Sequence, residues 1–145
     1  MSDAAPARSG SRTVARKLAL QALYRWQLND CPWQDLVSEF AGAEDMARAD
    51  GEYFSTLVSG VTASRTELDA ALQPLLDRSP ELLDPIEHAV LLIGAHELLH
   101  CPEVPFRVVI NEAVALAKRF GATDGYRYIN GVLDRGARLW RTHEH

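Results

Sequence analysis

Residues 85–100, PIEHAVLLIGAHELLH, are apolar almost all the way round when wound as a helix. At about 100° per residue, Ile86, Ala89, Val90 and Ile93 take one side, and Leu91, Leu92, Leu98 and Leu99 take the others. A helix without a polar face has to be covered on every side. The rest of the chain must therefore supply elements that surround it. Asp84 before Pro85 is a strong start signal, an N-cap with proline at the first helical position. Cys101-Pro102 ends the segment.

The remaining segments also read as helix. Residues 12–28, 33–42, 53–61 and 65–77 come first, the third and fourth divided near Gly60 and Ser64, where Ser64 and Glu67 fit a capping box. After the central segment, Pro105 opens a helix that stops at Phe120-Gly121. Thr123 or Asp124 then caps a last helix reaching about Trp140. No strand-like alternation occurs. These patterns predict an all-α chain of about seven helices in two packed helical subdomains. A disordered tail over 1–10 precedes one domain over 11–141, with halves 11–78 and 84–141 hinged through DRSPELLDP (77–85). The tail has no apolar core of a signal peptide, and no apolar stretch is long enough to span a bilayer. Cys31 and Cys101 are far apart and form no CxxC pair. A soluble, cytoplasmic protein is expected.

HELLH (96–100) has the spacing of a zinc hydrolase, with His96 and His100 on one helical face and Glu97 as a general base. INEAV (110–114) resembles the later glutamate of such enzymes. The surroundings argue against a metal. The segment is a buried central helix, no glycine turn or third histidine follows it, and no sheet edge is present to hold an extended substrate. Helix-end packing is the better role for the two histidines, with their charge facing the C-terminal dipole. No metal, cofactor or catalysed reaction is expected.

Charge is unevenly placed. Residues 1–30 carry five Lys/Arg against two acids, 31–103 three against fourteen, and 104–145 seven against four, giving nets of +3, −11 and +3 within a total of −5. Basic ends suit an anionic partner, and an acidic middle suits a basic one. On a helical projection of residues 12–28, Arg16, Lys17, Leu20, Tyr24 and Gln27 share a sector opposite Ala15, Leu18, Ala22 and Leu23, with Arg8 and Arg12 just upstream. Cations beside an exposed tyrosine suit phosphates and an unpaired base. The last helix places Tyr126, Arg127 and Tyr128 in its first turn and Arg135, Arg138 and Arg141 beyond. That combination favours single-stranded RNA over a duplex read by a recognition helix.

Four stretches, ALYRWQL (22–28), AVLLIGAHEL (89–98), VP…VVINEAVALAKRFG (104–121) and YINGVLD (128–134), together resemble the NusB family over roughly residues 11–138. The resemblance implies a non-catalytic transcription antitermination factor. It implies binding to boxA-type single-stranded RNA of nascent ribosomal RNA transcripts, alongside NusE, a small-subunit ribosomal protein, within an RNA polymerase antitermination complex. Carried over by motif, Arg12, Arg16, Lys17, Tyr24, Gln27, Asp124, Arg127 and Tyr128 would meet RNA, and Glu87 and Tyr24 would meet the protein partner. Some relatives form homodimers that mask the RNA surface. This chain departs from the pattern at Thr13 and Val14, where relatives carry a denser arginine run. Gly125 stands where serine is common, and Tyr128 replaces a phenylalanine. A helical protein–protein adaptor with incidental RNA affinity is the alternative.

Overall fold

The structure is a computed structural model that describes residues 4–144, with side chains from residue 10 onward. All regular elements among these residues are helical. Six α-helices form: α1 (Ala4–Leu28), α2 (Trp33–Phe40), α3 (Gly51–Leu72), α4 (Pro85–His100), α5 (Phe106–Phe120) and α6 (Gly125–Trp140). The chain divides into two compact units between Ala63 and Ser64.

In the first unit, α2 and a 3-10 turn over Glu44–Arg48 pack on α1. Ala15, Leu18, Ala19, Ala22 and Leu23 of α1 are buried, as are Leu36, Phe54, Leu57, Val58 and Val61. The Phe40 and Phe54 rings lie 5.9 Å apart. Helix α1 starts at Ala4, inside the span expected to be a disordered tail; of that span, residues 1–3 fall outside the described residues. Ala4, Ala5, Ala7 and Arg8 are strong helix formers. Pro6 sits in the first turn, where its missing N–H costs nothing.

The segments expected over 53–61 and 65–77 are one helix, α3, kinked at Ser64 (φ −116°, ψ 18°). The predicted break is therefore a bend at the predicted residue. Just before it, Thr62 Oγ1 donates to the carbonyls of Val58 (2.9 Å) and Ser59 (3.2 Å), back-bonding that bends helices. The division of the chain also falls at this kink, not at the expected hinge. Residues 77–85 lie wholly in the second unit, where Pro80–Leu82 forms a 3-10 turn and Pro80 is buried.

In the second unit α4, α5 and α6 pack against one another. Every residue of α4 from His88 to Leu98 is buried, as the lack of a polar face requires. The Asp84 carboxylate accepts from the N–H groups of Ile86 (3.1 Å) and Glu87 (3.2 Å), so the predicted cap is in place. Helix α5 ends at Phe120 and is followed by the glycine stop at Gly121, where the backbone turns extended and a Cβ would lie 2.8 Å from the Ala117 carbonyl oxygen. Asp124, at φ 66°, occupies the cap position of α6 without a side-chain cap bond. Its carboxylate faces Arg127 Nε at 3.4 Å instead.

Arg141, grouped by sequence with the outward arginines of α6, is buried, with 2% exposure. Its guanidinium closes the C-terminus of α4. Nε donates to the Leu98 carbonyl (2.6 Å), Nη2 to those of Glu97 and Cys101 (3.0 Å each), and Nη1 to that of Val104 (3.0 Å). Glu144 pairs with the same guanidinium. The last carbonyls of a helix have no partner within it; here a cation from later in the chain provides one. His96 is buried in this last turn, 5.2 Å from the His100 ring. Burial, then the charge of His100, lowers its pKa. Among the described residues no group of three or more His, Cys, Asp or Glu is placed to hold a metal, and no helix is long and apolar enough to cross a membrane.

Candidate nucleic-acid interface

The α1 residues singled out by charge are held mostly by their own unit. Arg12 lies 3.6 Å from Asp50 and stacks 4.1 Å from the centroid of the Tyr53 ring. Arg16 sits 5.4 Å from the same ring and is only 3% exposed. Lys17 pairs with Asp45, which also takes Arg48 at 2.5 Å. The Lys17 contact first, then Arg48, lowers the Asp45 carboxyl to about 2. Leu20, expected on the open sector, is buried as well. The first part of the projected sector, with Arg16, Lys17 and Leu20, is covered, whereas Tyr24 further along it is open. The buried Tyr53 and the acidic turn lie over that first part, and no count of residues per turn within α1 reveals them.

What α1 does present outward is Tyr24, 36% exposed, with the exposed Gln21 and Arg25 near it. Arg25 pairs with Glu39 of α2. Gln27 is half-buried. The exposed tyrosine with an arginine beside it is the part of α1 best suited to an unpaired base.

At the start of α6, Arg127 is well exposed and its guanidinium lies 5.3 Å from the Tyr126 ring, with Lys118 Nζ 4.8 Å from that ring. Tyr126, Arg127, Asn111, Val114 and Asn130 line an open cleft of about 410 Å³ between α5 and α6. Tyr128 is tied down. Its hydroxyl donates to Asp77 Oδ1 (3.0 Å) and accepts from the Asp77 N–H (3.3 Å), and Arg78 covers the ring at 5.2 Å. Burial raises the phenol pKa, while Arg78 first and Tyr128 next lower the Asp77 carboxyl to about 2.

Glu87 is half-buried and its carboxylate lies against the α6 entry turn. A hydrogen bond from the Ala122 N–H holds it there, and burial, then Asp84, raises its pKa against the pull of Arg78. A Cβ on residue 125 would collide with this carboxylate. Gly125 therefore leaves room for the Glu87 carboxylate, a link the sequence does not display.

The sequence reading missed Tyr53, Asp45 and Asp50, which set the state of the α1 cations, and Asn111 and Asn130 in the cleft. Nothing local marked them, since each matters only through an element far away along the chain.

The profile of the NusB family matches residues 13–138. The transcription antitermination protein NusB of Thiobacillus denitrificans is 50% identical over 127 residues, covering 88% of each chain. Among solved structures, T. maritima NusB superposes with a TM-score of 0.78 at 26% identity, over 88% of this chain and 90% of its own. A chain of the solved complex of antitermination factors NusB and NusE with dsRNA superposes with a TM-score of 0.75 at 25% identity, over 90% of this chain and 98% of its own.

Proposed function

The chain belongs to the NusB family, and from that premise we propose that it is a transcription antitermination factor binding boxA-type single-stranded RNA of nascent ribosomal RNA transcripts. It does so together with NusE, within an RNA polymerase antitermination complex, and it is not an enzyme. The observation that carries this reading is the shared fold with a protein solved beside NusE and RNA, aligned over 90% of this chain. Its place of work is the cytoplasm, where nascent transcripts and ribosomal proteins meet.

The proposed RNA contacts are Arg12, Arg16, Lys17, Tyr24 and Gln27 on α1 and Asp124, Arg127 and Tyr128 at the α6 entry. Glu87 and Tyr24 are proposed to face NusE. Tyr24 and Arg127 contact RNA as they stand, because both are exposed. Arg16, buried under Tyr53, contributes field more than direct contact. The duplex in the solved complex favours a second reading, in which paired RNA is also held through its backbone.

Fluorescence anisotropy separates these readings. A boxA-like single strand, a scrambled strand and a duplex are titrated with the protein, with and without NusE, at two salt concentrations. NusE should tighten the boxA-like strand selectively. Tyr24→Asp should weaken it roughly five- to hundredfold, the worth of one stacked base, with the unfolding midpoint unchanged. Equal binding of both strands, falling steeply with salt and indifferent to NusE, is phosphate attraction alone. That outcome replaces the antitermination reading with the adaptor.

A further inference from the structure

We propose that the acidic turn 44–50 lies on the α1 cations as an internal competitor for RNA phosphate, so that neutralising its carboxylates tightens RNA binding. The inference rests on the RNA-binding reading and concerns how strongly that face is allowed to act.

Four cations gather at this end of the first unit, Arg12, Arg16, Lys17 and Arg48, and the turn brings Asp45 and Asp50 to meet them. Asp45 bridges Lys17 and Arg48. Asp50 divides its carboxylate. One oxygen accepts from the Tyr53 N–H at 3.0 Å, and the other faces Arg12 Nε at 3.6 Å. The turn is tied to α1 by the Asp50 N–H, which donates to the Ser11 carbonyl at 3.0 Å. The Arg12 Nε is enclosed and makes no hydrogen bond among the described residues. Asp50 therefore holds Arg12 by charge and not by a hydrogen bond.

A phosphate approaching Lys17 or Arg12 has to displace a carboxylate that already occupies it. Both ligands are anionic oxygens of similar size, so the exchange returns only the difference between two ion pairs. The Lys17 contact keeps Asp45 ionised at any physiological pH, so acidity does not lift this competition.

The test uses the full chain with Asp45→Asn, Asp50→Asn and the double substitution. Asparagine is isosteric, and at position 50 it keeps an oxygen for the Tyr53 N–H and remains a good helix cap. Binding of a boxA-like single strand is followed by anisotropy over a range of salt, with unfolding midpoints recorded beside it. Each variant should tighten binding on the order of two- to fivefold, the worth of an exposed ion pair. The slope of log K against log salt should steepen by about 0.7 for each phosphate gained. Lys17→Gln should cost less in the wild-type chain than in the Asp45→Asn background. If the wild-type chain binds RNA and the variants change neither affinity nor slope, the competition is overturned while the RNA reading stands. Weaker binding in folded Asp45→Asn also overturns it, since Asp45 would then be positioning Lys17. If the wild-type chain binds no RNA at all, the underlying reading fails, and the inference with it.

Discussion

Replacing Arg141 by methionine tests whether the end of α4 depends on a side chain from beyond α6. The substitution keeps much of the apolar stem and removes every donor. Four backbone carbonyls, at Glu97, Leu98, Cys101 and Val104, lose a partner at 2.6–3.0 Å in a site where the side chain is 2% exposed. A hydrogen bond to a charged group contributes about 1.5–3 kcal/mol net, and bonds sharing one guanidinium do not add. The expected loss is about 3–5 kcal/mol, mainly the cost of leaving the Leu98 and Val104 carbonyls buried without a donor, at about 1–3 kcal/mol each, since those of Glu97 and Cys101 keep backbone N–H partners. With a urea slope of about 2 kcal/mol/M, the midpoint falls by about 1.5–2.5 M in a denaturation curve read by circular dichroism. Lysine keeps the charge but not the planar fork, so Arg141→Lys should recover less than half of the difference. Hydrogen exchange should show early loss of protection at the Cys101 and Val104 amides, which close turns onto Glu97 and Cys101 at 3.0 Å. If Arg141→Met unfolds within about 0.3 M of the wild type at an unchanged slope, the carbonyls are satisfied without arginine and the reasoning is wrong.

Three further outcomes are open to measurement. His96 has its pKa lowered by burial and then by His100, so the unfolded chain takes up its proton first. Its stabilising contribution is present above about pH 6.5 and is lost as pH falls below that value towards the folded pKa. His96→Gln should therefore flatten the urea midpoint between about pH 7 and 5, and an unchanged profile would remove His96 as its source. Gly94→Ala would set a Cβ 2.7 Å from Leu133 Cδ1, and the overpacking should lower stability by about 1–3 kcal/mol; a rise in the thermal midpoint would show that Leu133 moves aside freely. Tyr128→Phe removes the hydroxyl shared with Asp77, so the Asp77 carboxyl should titrate above its value of about 2 in a carbon-detected NMR titration. No change there would leave Arg78 as its sole support.

The central helix was legible because its evidence is local. Asp84-Pro85 fixes its start, Cys101-Pro102 its end, and the absence of a polar face its burial. Ser64 was legible for the same reason, although it bends α3 instead of ending it. The nature of the α1 face was not legible. Periodicity shows that Arg16, Lys17 and Leu20 share a sector, but whether the sector meets water depends on residues 44–53, and no spacing rule connects those to α1. Arg141 failed in the same way. As the next arginine after Arg135 and Arg138 it looks like surface, and only the fold shows that the chain beyond α6 turns back onto the end of α4. Glu87 and Gly125 form one unit across two helices, so each read alone suggested a different role.

The arginine that closes α4 also imposes an order in time. The carbonyls it satisfies precede it by 37 to 44 residues. At a synthesis rate of about 5–20 residues per second, roughly two to nine seconds pass between making the end of α4 and making its plug. During that interval the nascent helix has its cap at Asp84 but not its closure, and the covers supplied by α5 and α6 arrive only one after the other. The unit therefore completes its folding only after the last turn of α6 has been made, and a ribosome stalled anywhere in α6 would hold a chain whose central helix is open at one end.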